Sequence, residues 1–349
     1  MNDFQNMSCP LPILDHDTVQ LAHGAGGRLS ADLIEKLILP RFSSAELDRL
    51  EDQAVLDLPP GRLAFSTDTF VVSPIFFPGG DIGDLAVNGT VNDVAMSGAR
   101  PLALSVGFVL EEGLPLADFH RILCSMERAA RQAGVRIVTG DTKVVGKGSC
   151  DRIFINTSGV GVIPEGVNLS AASLQPGDRI ILSGTLADHG MAVMTVREGL
   201  SFQSTVSSDT AALGSLTAAV LAVCPQARAM RDPTRGGAAT TLNEFAQASG
   251  VGIKLDGGAI PVRPDVAAAC EILGIDPLYV ANEGKLIAVV PGDAAPETLQ
   301  SIQAQELGRD AAIIGEVVAD HPGTVTLKTG LGAERIVDMP VGEQLPRIC

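Results

Sequence analysis

The chain has 349 residues, more than one hydrophobic core ordinarily serves, so two domains are expected. It is 46% hydrophobic but only 3% aromatic, and 25 basic against 41 acidic residues leave a net charge of −16. That balance repels phosphate backbones and offers few stacking platforms, which argues against nucleic-acid binding and for a soluble cytosolic protein.

No apolar run approaches the roughly 18–20 residues that span a bilayer. The first basic residue is Arg28, so the start lacks the positive region of a signal peptide. Residues 1–18 carry no pattern and are taken as an N-terminal extension. HGAGGRLS at 23–30 is a glycine-rich turn that opens a helix expected over 29–39. Gly24, Gly26 and Gly27 there can present backbone N–H groups to a phosphate. The strand LAFST leads into Asp68, and a helix is expected over 84–97, followed by a strand at 103–110 and a helix at 116–133. The strand VRIVTG ends at Asp141, with Lys143 just beyond it, and a strand follows at 152–163.

The polar, turn-rich stretch 163–179 marks a domain boundary. One domain is expected over 19–165 and a second over 166–330. The second should hold strands at 178–184, 285–290 and 311–318 and helices at 210–223, 238–249 and 264–273. Strands mixed with helices in both halves indicate layered α/β architecture. Residues 331–349 are expected to form a mobile tail, because Pro340 and Pro346 oppose helix. From Val337 to Cys349 is 13 residues. Extended, such a segment reaches up to roughly 40 Å, enough to carry a terminal thiol into a cleft.

There is no Walker A loop, because GDTKVVGKGS has the wrong spacing, and no GxGxxG follows a strand. Six cysteines without a CxxC pair argue against a disulfide framework and a thiolate zinc site. Aspartates recur at element ends: Asp52, Asp68, Asp141 and Asp232. Asp93 and the i,i+4 pair Asn88 and Asn92 sit in a helix of small apolar residues, where unpaired polar groups are costly. Converging carboxylates repel one another unless a cation holds them, and hard oxygen ligands with substrate phosphates suit Mg²⁺. RDPTRGG joins Asp232 to Arg235 at a helix entry, a candidate phosphate clamp. Glu283 and Lys285 lie on the turn ANEGKL, and His189 in DHGMAV is a local cap or a ligand contact.

Taken together, HGAGGR, FSTDTFVVSP, AVNGTVNDVAMSGARP, GDTKVV, DHGMAV, MRDPTRGG, ANEGKL and the terminal PRIC resemble the HypE family of hydrogenase maturation factors. The strings occur in order from about residue 20 to the end. The wider superfamily holds aminoimidazole ribonucleotide synthetase and selenophosphate synthetase. The resemblance implies a two-domain, aminoimidazole ribonucleotide synthetase-like (PurM-like) α/β fold with a flexible C-terminal tail, and homodimers that pair their N-terminal sheets into one barrel. It implies that HypF carbamoylates Cys349, that ATP with Mg²⁺ then drives dehydration to a thiocyanate, and that the CN group passes to iron on HypC–HypD. By the same resemblance Asp68, Asp93 and Asp232 match magnesium aspartates. Asp52 matches less fully, because Glu51 replaces the family's glycine. Gly24, Gly26, Gly27, Asn92, Asp141 and Arg235 fall in strings near the nucleotide, and Lys143 and Glu283 near the reacting tail.

Removing water from a thiocarbamate requires a better leaving group than hydroxide and a base for two N–H protons. Glu283 is expected to be that base, with Lys143 stabilising the oxygen or phosphate, although the two roles could be exchanged. Arg347 could offset the terminal carboxylate that opposes thiolate formation. A synthetase acting on a free small molecule, or a thiol carrier without catalysis, remain as alternatives.

Overall fold

The computed structural model describes residues 11–340 except Ile13 and 200–205, together with Gly342, Leu345, Ile348 and Cys349. The expectations for Cys9 and Arg347 and most of those for the N-terminal extension therefore lie outside the described residues. The chain is already anchored by Asp17–Val19: Val19 is buried and its N–H donates to the Leu114 carbonyl at 2.8 Å.

The predicted 29–39 helix is α1 (Arg28–Leu33), a π turn (Ile34–Ile38) and α2 (Leu39–Phe42) in succession. Then come β1 (Arg62–Phe70), a hairpin of β2 (Phe76–Phe77) and β3 (Gly80–Asp81), α3 (Ile82–Met96) and β4 (Arg100–Glu111). α4 (Leu116–Ala133) matches its expected bounds and ends where Gly134 takes a left-handed φ of 69°. β5 (Arg136–Val145) and β6 (Ile153–Ile163) complete a four-stranded sheet in the order β1-β6-β4-β5, antiparallel except for β4 with β5. Asp141 and Lys143 thus lie inside β5, not beyond a strand end, because the pattern stays extended through GDTKVV.

The second half contains β7 (Arg179–Leu182), α5 (Asp188–Arg197), α6 (Gly214–Val223), β8 (Ala229–Arg231), α7 (Gly237–Ser249), β9 (Gly252–Asp256) and α8 (Pro264–Leu273). β10 (Ile287–Val290), α9 (Ala295–Gln303), β11 (Ala312–Val318), β12 (Val325–Lys328) and β13 (Glu334–Ile336) follow. Its seven-stranded sheet runs β13-β12-β9-β11-β7-β10-β8. The expected tail from 331 is therefore too long: β13 pairs with β12, and Val337 is fully buried. Short strands escaped the sequence reading because three to five residues carry no periodicity, and α5 because its apolar residues surround the helix.

α3 is the pivot. Almost all of its side chains are buried, since β1 and β6 cover one side, α4 another, and the 206–213 segment of the second half a third. Asp81 caps its start, accepting from the Gly83 N–H at 2.8 Å. Asn92 holds the two halves together. Its Nδ2 donates to the carbonyls of Ala211 (2.9 Å) and Glu283 (3.2 Å), and its Oδ1 accepts from the Leu213 N–H at 2.8 Å. Asn88 reaches Thr210.

The same segment passes so close to Gly284 that an added Cβ would lie 1.7 Å from the Asp209 carbonyl oxygen. Gly284→Ala must displace that backbone, and is expected to destabilise by about 2–3 kcal/mol as an overpacked core site. A urea melt checks this, and an unchanged midpoint would show the segment to be loosely held.

Candidate active site

The functional side chains converge where the halves meet. β10 begins beside the end of β8, with Ile287 opposite Arg231, so the turns carrying Asp232 and Glu283 leave the same end of the second sheet. Asn282 fastens them: its N–H and Nδ2 both reach the Pro233 carbonyl at 3.0 Å, and its Oδ1 accepts from the Ala187 N–H. Facing them, Asp68 lies on β1 and Asp93 on α3, the latter accepting from Ser66 Oγ at 2.8 Å. Asp93, Asp232, Arg231 and Arg235 line a cavity of about 850 Å³ between the halves. That volume suits a nucleotide-sized ligand.

Burial raises the Asp93 carboxyl, and the Asp68 charge adds to this. Burial, then the Asp93 and Asp68 charges, push Asp232 up to about 7. Glu283 is 2% exposed and is pushed well above the carboxylate range by burial first, then by Asp232, Asp209, Asp68 and Asp93. Its Oε1 is buried without a hydrogen-bond partner. Its other neighbour is the chain terminus. Burial first, and then the neighbouring Glu283 charge, raise the Cys349 thiol well above its ordinary value, opposed by Arg235. Leu345 and Ile348 are buried in the core shared with α5, and the Val71 N–H donates to a backbone carboxylate oxygen of Cys349 at 3.2 Å.

Asp209, which carries no motif and was missed in the sequence, supports this arrangement from behind. Its Oδ1 accepts from the Glu283 N–H at 3.2 Å and its Oδ2 from Lys285 Nζ at 2.9 Å. Burial alone would raise it, but Lys285 and His189 together hold it below its ordinary value. Lys285 also lies 3.7 Å from Asp188.

Not every candidate joins this cluster. Asp52 is exposed on the segment before β1, away from the interacting carboxylates. Asn92 spends its amide on protein backbone, so it places Glu283 and does not present a free ligand group. Lys143 is exposed and paired with Asp141 at 2.8 Å, both on β5. β5 and β1 are opposite edges of the four-stranded sheet, three strand spacings or about 14 Å apart. The glycine turn sits on that far edge too, where a Cβ on Gly24 would strike Val144 of β5, while Gly26 and Gly27 face open space. Cys124 is disulfide-bonded, so the cysteines are not uniformly unpaired as expected. Cys150, Cys224, Cys270 and Cys349 are free thiols.

Among the described residues no three His, Cys, Asp or Glu side chains form a ready-made metal cage. Three mutually repelling carboxylates, Asp68, Asp93 and Asp232, would suit a hard cation shared with phosphate oxygens better than one held by protein alone.

The N-terminal domain of the AIR synthase related proteins matches residues 50–163, and their C-terminal domain matches 175–328. The chain is 56% identical over 336 residues to the carbamoyl dehydratase HypE of Azotobacter vinelandii, covering 96% of this chain and 98% of that one. A HypE crystal structure in complex with ATP superposes with a TM-score of 0.92 at 48% identity, covering 95% and 100% of the two chains. HypE in a HypE–HypF complex gives 0.78 at 49% identity over 88% and 99%. Among the described residues no helix is long and apolar enough to cross a membrane. With this fold, this cavity and a terminal cysteine at its carboxylates, the chain belongs to the HypE family of carbamoyl dehydratases within the AIR synthase related proteins.

Proposed function

We propose that this protein uses ATP to dehydrate a carbamoyl group carried on its own Cys349 to a thiocyanate, the source of the CN ligand in nickel–iron hydrogenase maturation. The observation that supports it most is the terminal thiol beside Glu283, next to a carboxylate cluster of which Asp93 and Asp232 line a nucleotide-sized cavity.

The nucleotide occupies the cavity, with Arg235 and Arg231 on its wall and the phosphates toward Asp68, Asp93 and Asp232. Magnesium bound there supplies positive charge that offsets both the triphosphate and the carboxylates. The carbamoyl oxygen takes the γ-phosphoryl group, so phosphate and not hydroxide departs as the C–O bond breaks. Both N–H protons leave as the C≡N bond forms, and Glu283 is the base within reach of the nitrogen. Thiocarbamate and ATP thus give thiocyanate, ADP, phosphate and a proton. A buried base whose proton affinity is already high is suited to this task. Asp209 and Asn92 hold its backbone in place.

The protein works as a homodimer in this reading. The outer face of the first sheet exposes Leu63 at 53% and Phe65 at 74%, and β1 and β5 each have one edge unpaired within the sheet. Two such sheets closing into a barrel remove all four edges and bring β1 beside the partner subunit's β5. Lys143 and the glycine turn then serve the neighbouring protomer's site, which accounts for their distance from Glu283 in one chain. HypF supplies the carbamoyl group, and the HypC–HypD pair accepts CN.

Intact mass spectrometry tests the reaction. The carbamoylated terminal peptide, about 43 Da heavier than the thiol, is expected to lose about 18 Da only when ATP and Mg²⁺ are added. Cys349→Ser should abolish that change. Turnover of a free small molecule by a tail-deleted chain would instead identify a synthetase.

A further inference from the structure

His189 is the first residue after Asp188 at the start of α5, and it is completely buried. Its Nε2 lies 2.8 Å from the carbonyl oxygen of Ile348, the residue before the carrier cysteine. Its Nδ1 lies 2.8 Å from Ser208 Oγ. A carbonyl only accepts, so Nε2 must bear the proton and Nδ1 must accept from the Ser208 hydroxyl. The Phe77 ring meets the imidazole edge-on at 5.4 Å between centroids and fixes its plane. The next residue is Gly190, where a Cβ would strike Val280 at 2.3 Å and approach Leu345 of the tail at 3.4 Å. The groove is thus shaped for the passing tail, and its polar contacts read backbone alone: His189 at the Ile348 carbonyl and the Val71 N–H at the Cys349 backbone oxygen.

We infer that His189 is a positioning residue for the terminus: with Ser208 selecting its tautomer, it clamps the penultimate carbonyl so that the last side chain reaches Glu283. The clamp fixes the register at Ile348, so the side chain that follows it is the one set at the base. Burial lowers the affinity of His189 for a second proton, which keeps the imidazole neutral and able to accept and donate at once. The inference rests on Cys349 being the carrier, but its measurement needs neither carbamoylation nor ATP turnover, so the two can fail separately.

The measurement is the alkylation rate of each thiol in the full-length, nucleotide-free protein, followed peptide by peptide by mass spectrometry. Cys224, a buried free thiol in a separate core cluster, reports any general loosening, and Cys270, buried in the core that Leu345 and Ile348 share, reports loosening of that core itself. His189→Ala is expected to raise Cys349 labelling about tenfold, the scale of one buried hydrogen bond, with Cys224 and Cys270 unchanged. His189→Gln keeps a donor near Nε2 and should recover most of the protection. Ser208→Ala, a milder change that leaves the imidazole in place, should give an intermediate rate by freeing the tautomer. Cys349 labelling unchanged in His189→Ala would overturn the clamp. So would a rise shared equally by Cys224 and Cys270, or a Gln variant as unprotected as Ala. If the Ala variant does not fold, the Ser208 and Gln variants decide: no faster labelling in Ser208→Ala, or no protection in Gln, removes the inference.

Discussion

Glu283→Gln is expected to leave the fold and the loading of Cys349 intact while slowing ATP-dependent dehydration by roughly 10²–10⁴-fold, the range that general-base catalysis supplies. The substitution is informative because the supports of Glu283 act on its backbone: Asp209 accepts from its N–H and Asn92 donates to its carbonyl. Glutamine retains both contacts and the side-chain volume, but takes no proton. Little stability should change either, since burial and four neighbouring carboxylates already disfavour a charge there and the amide is an uncharged isostere. The carbamoyl adduct, about 43 Da, should therefore accumulate on the terminal peptide in the presence of ATP without the later loss of about 18 Da. A variant that dehydrates at the wild-type rate would move the base elsewhere. A variant that is never loaded would place Glu283 in the partner's step and not in this one.

The sequence made some of this site legible and hid the rest for physical reasons. Continuous apolar strands and the 18-residue α4 stood out because long periodic segments average over local exceptions. β8, with three residues, and α5, whose apolar residues circle the helix, offered no such period. Asp68, Asp93, Asp232, Glu283 and Cys349 were named from strings and do meet in space. Their meeting depends on two sheet ends and one chain end that are far apart in sequence. Asn92 was correctly singled out as an odd residue in an apolar helix, but a polar side chain that spans two domains and one that holds a ligand leave the same trace in a sequence. Asp209 left none, since a buried acid paired to Lys285 is recognisable only once the 206–213 segment is seen lying on α3. Lys143 and the glycine turn show a different limit. A string fixes chemistry but not position, and the four-stranded sheet sets them on the edge opposite Asp68.

Asp232→Asn should stabilise the nucleotide-free protein and disable the loaded one. Asp232 is 7% exposed, and burial, Asp93 and Asp68 raise it to about 7, against 3.8 for an ordinary aspartate. Its folded proton affinity exceeds its unfolded one. Between roughly pH 4 and pH 7 the native state therefore binds more protons, and stability falls as pH rises through that window. Above it the full penalty stands, on the order of 4 kcal/mol for a shift of this size. Asparagine removes the penalty, so urea melts without nucleotide or divalent ion should show the variant more stable at about pH 8 and equal to wild type at about pH 4. Adding Mg²⁺ with ATP should reverse the order, because ligand bound to the native state alone stabilises it. Wild type gains from a carboxylate facing the cation, whereas the variant has lost it along with dehydratase activity. A variant less stable than wild type at every pH would show Asp232 to be structural. One that still gained fully from Mg²⁺ and ATP would remove it from the metal site. The crossing of the two melts therefore separates a carboxylate kept for its ligand from one kept for the fold.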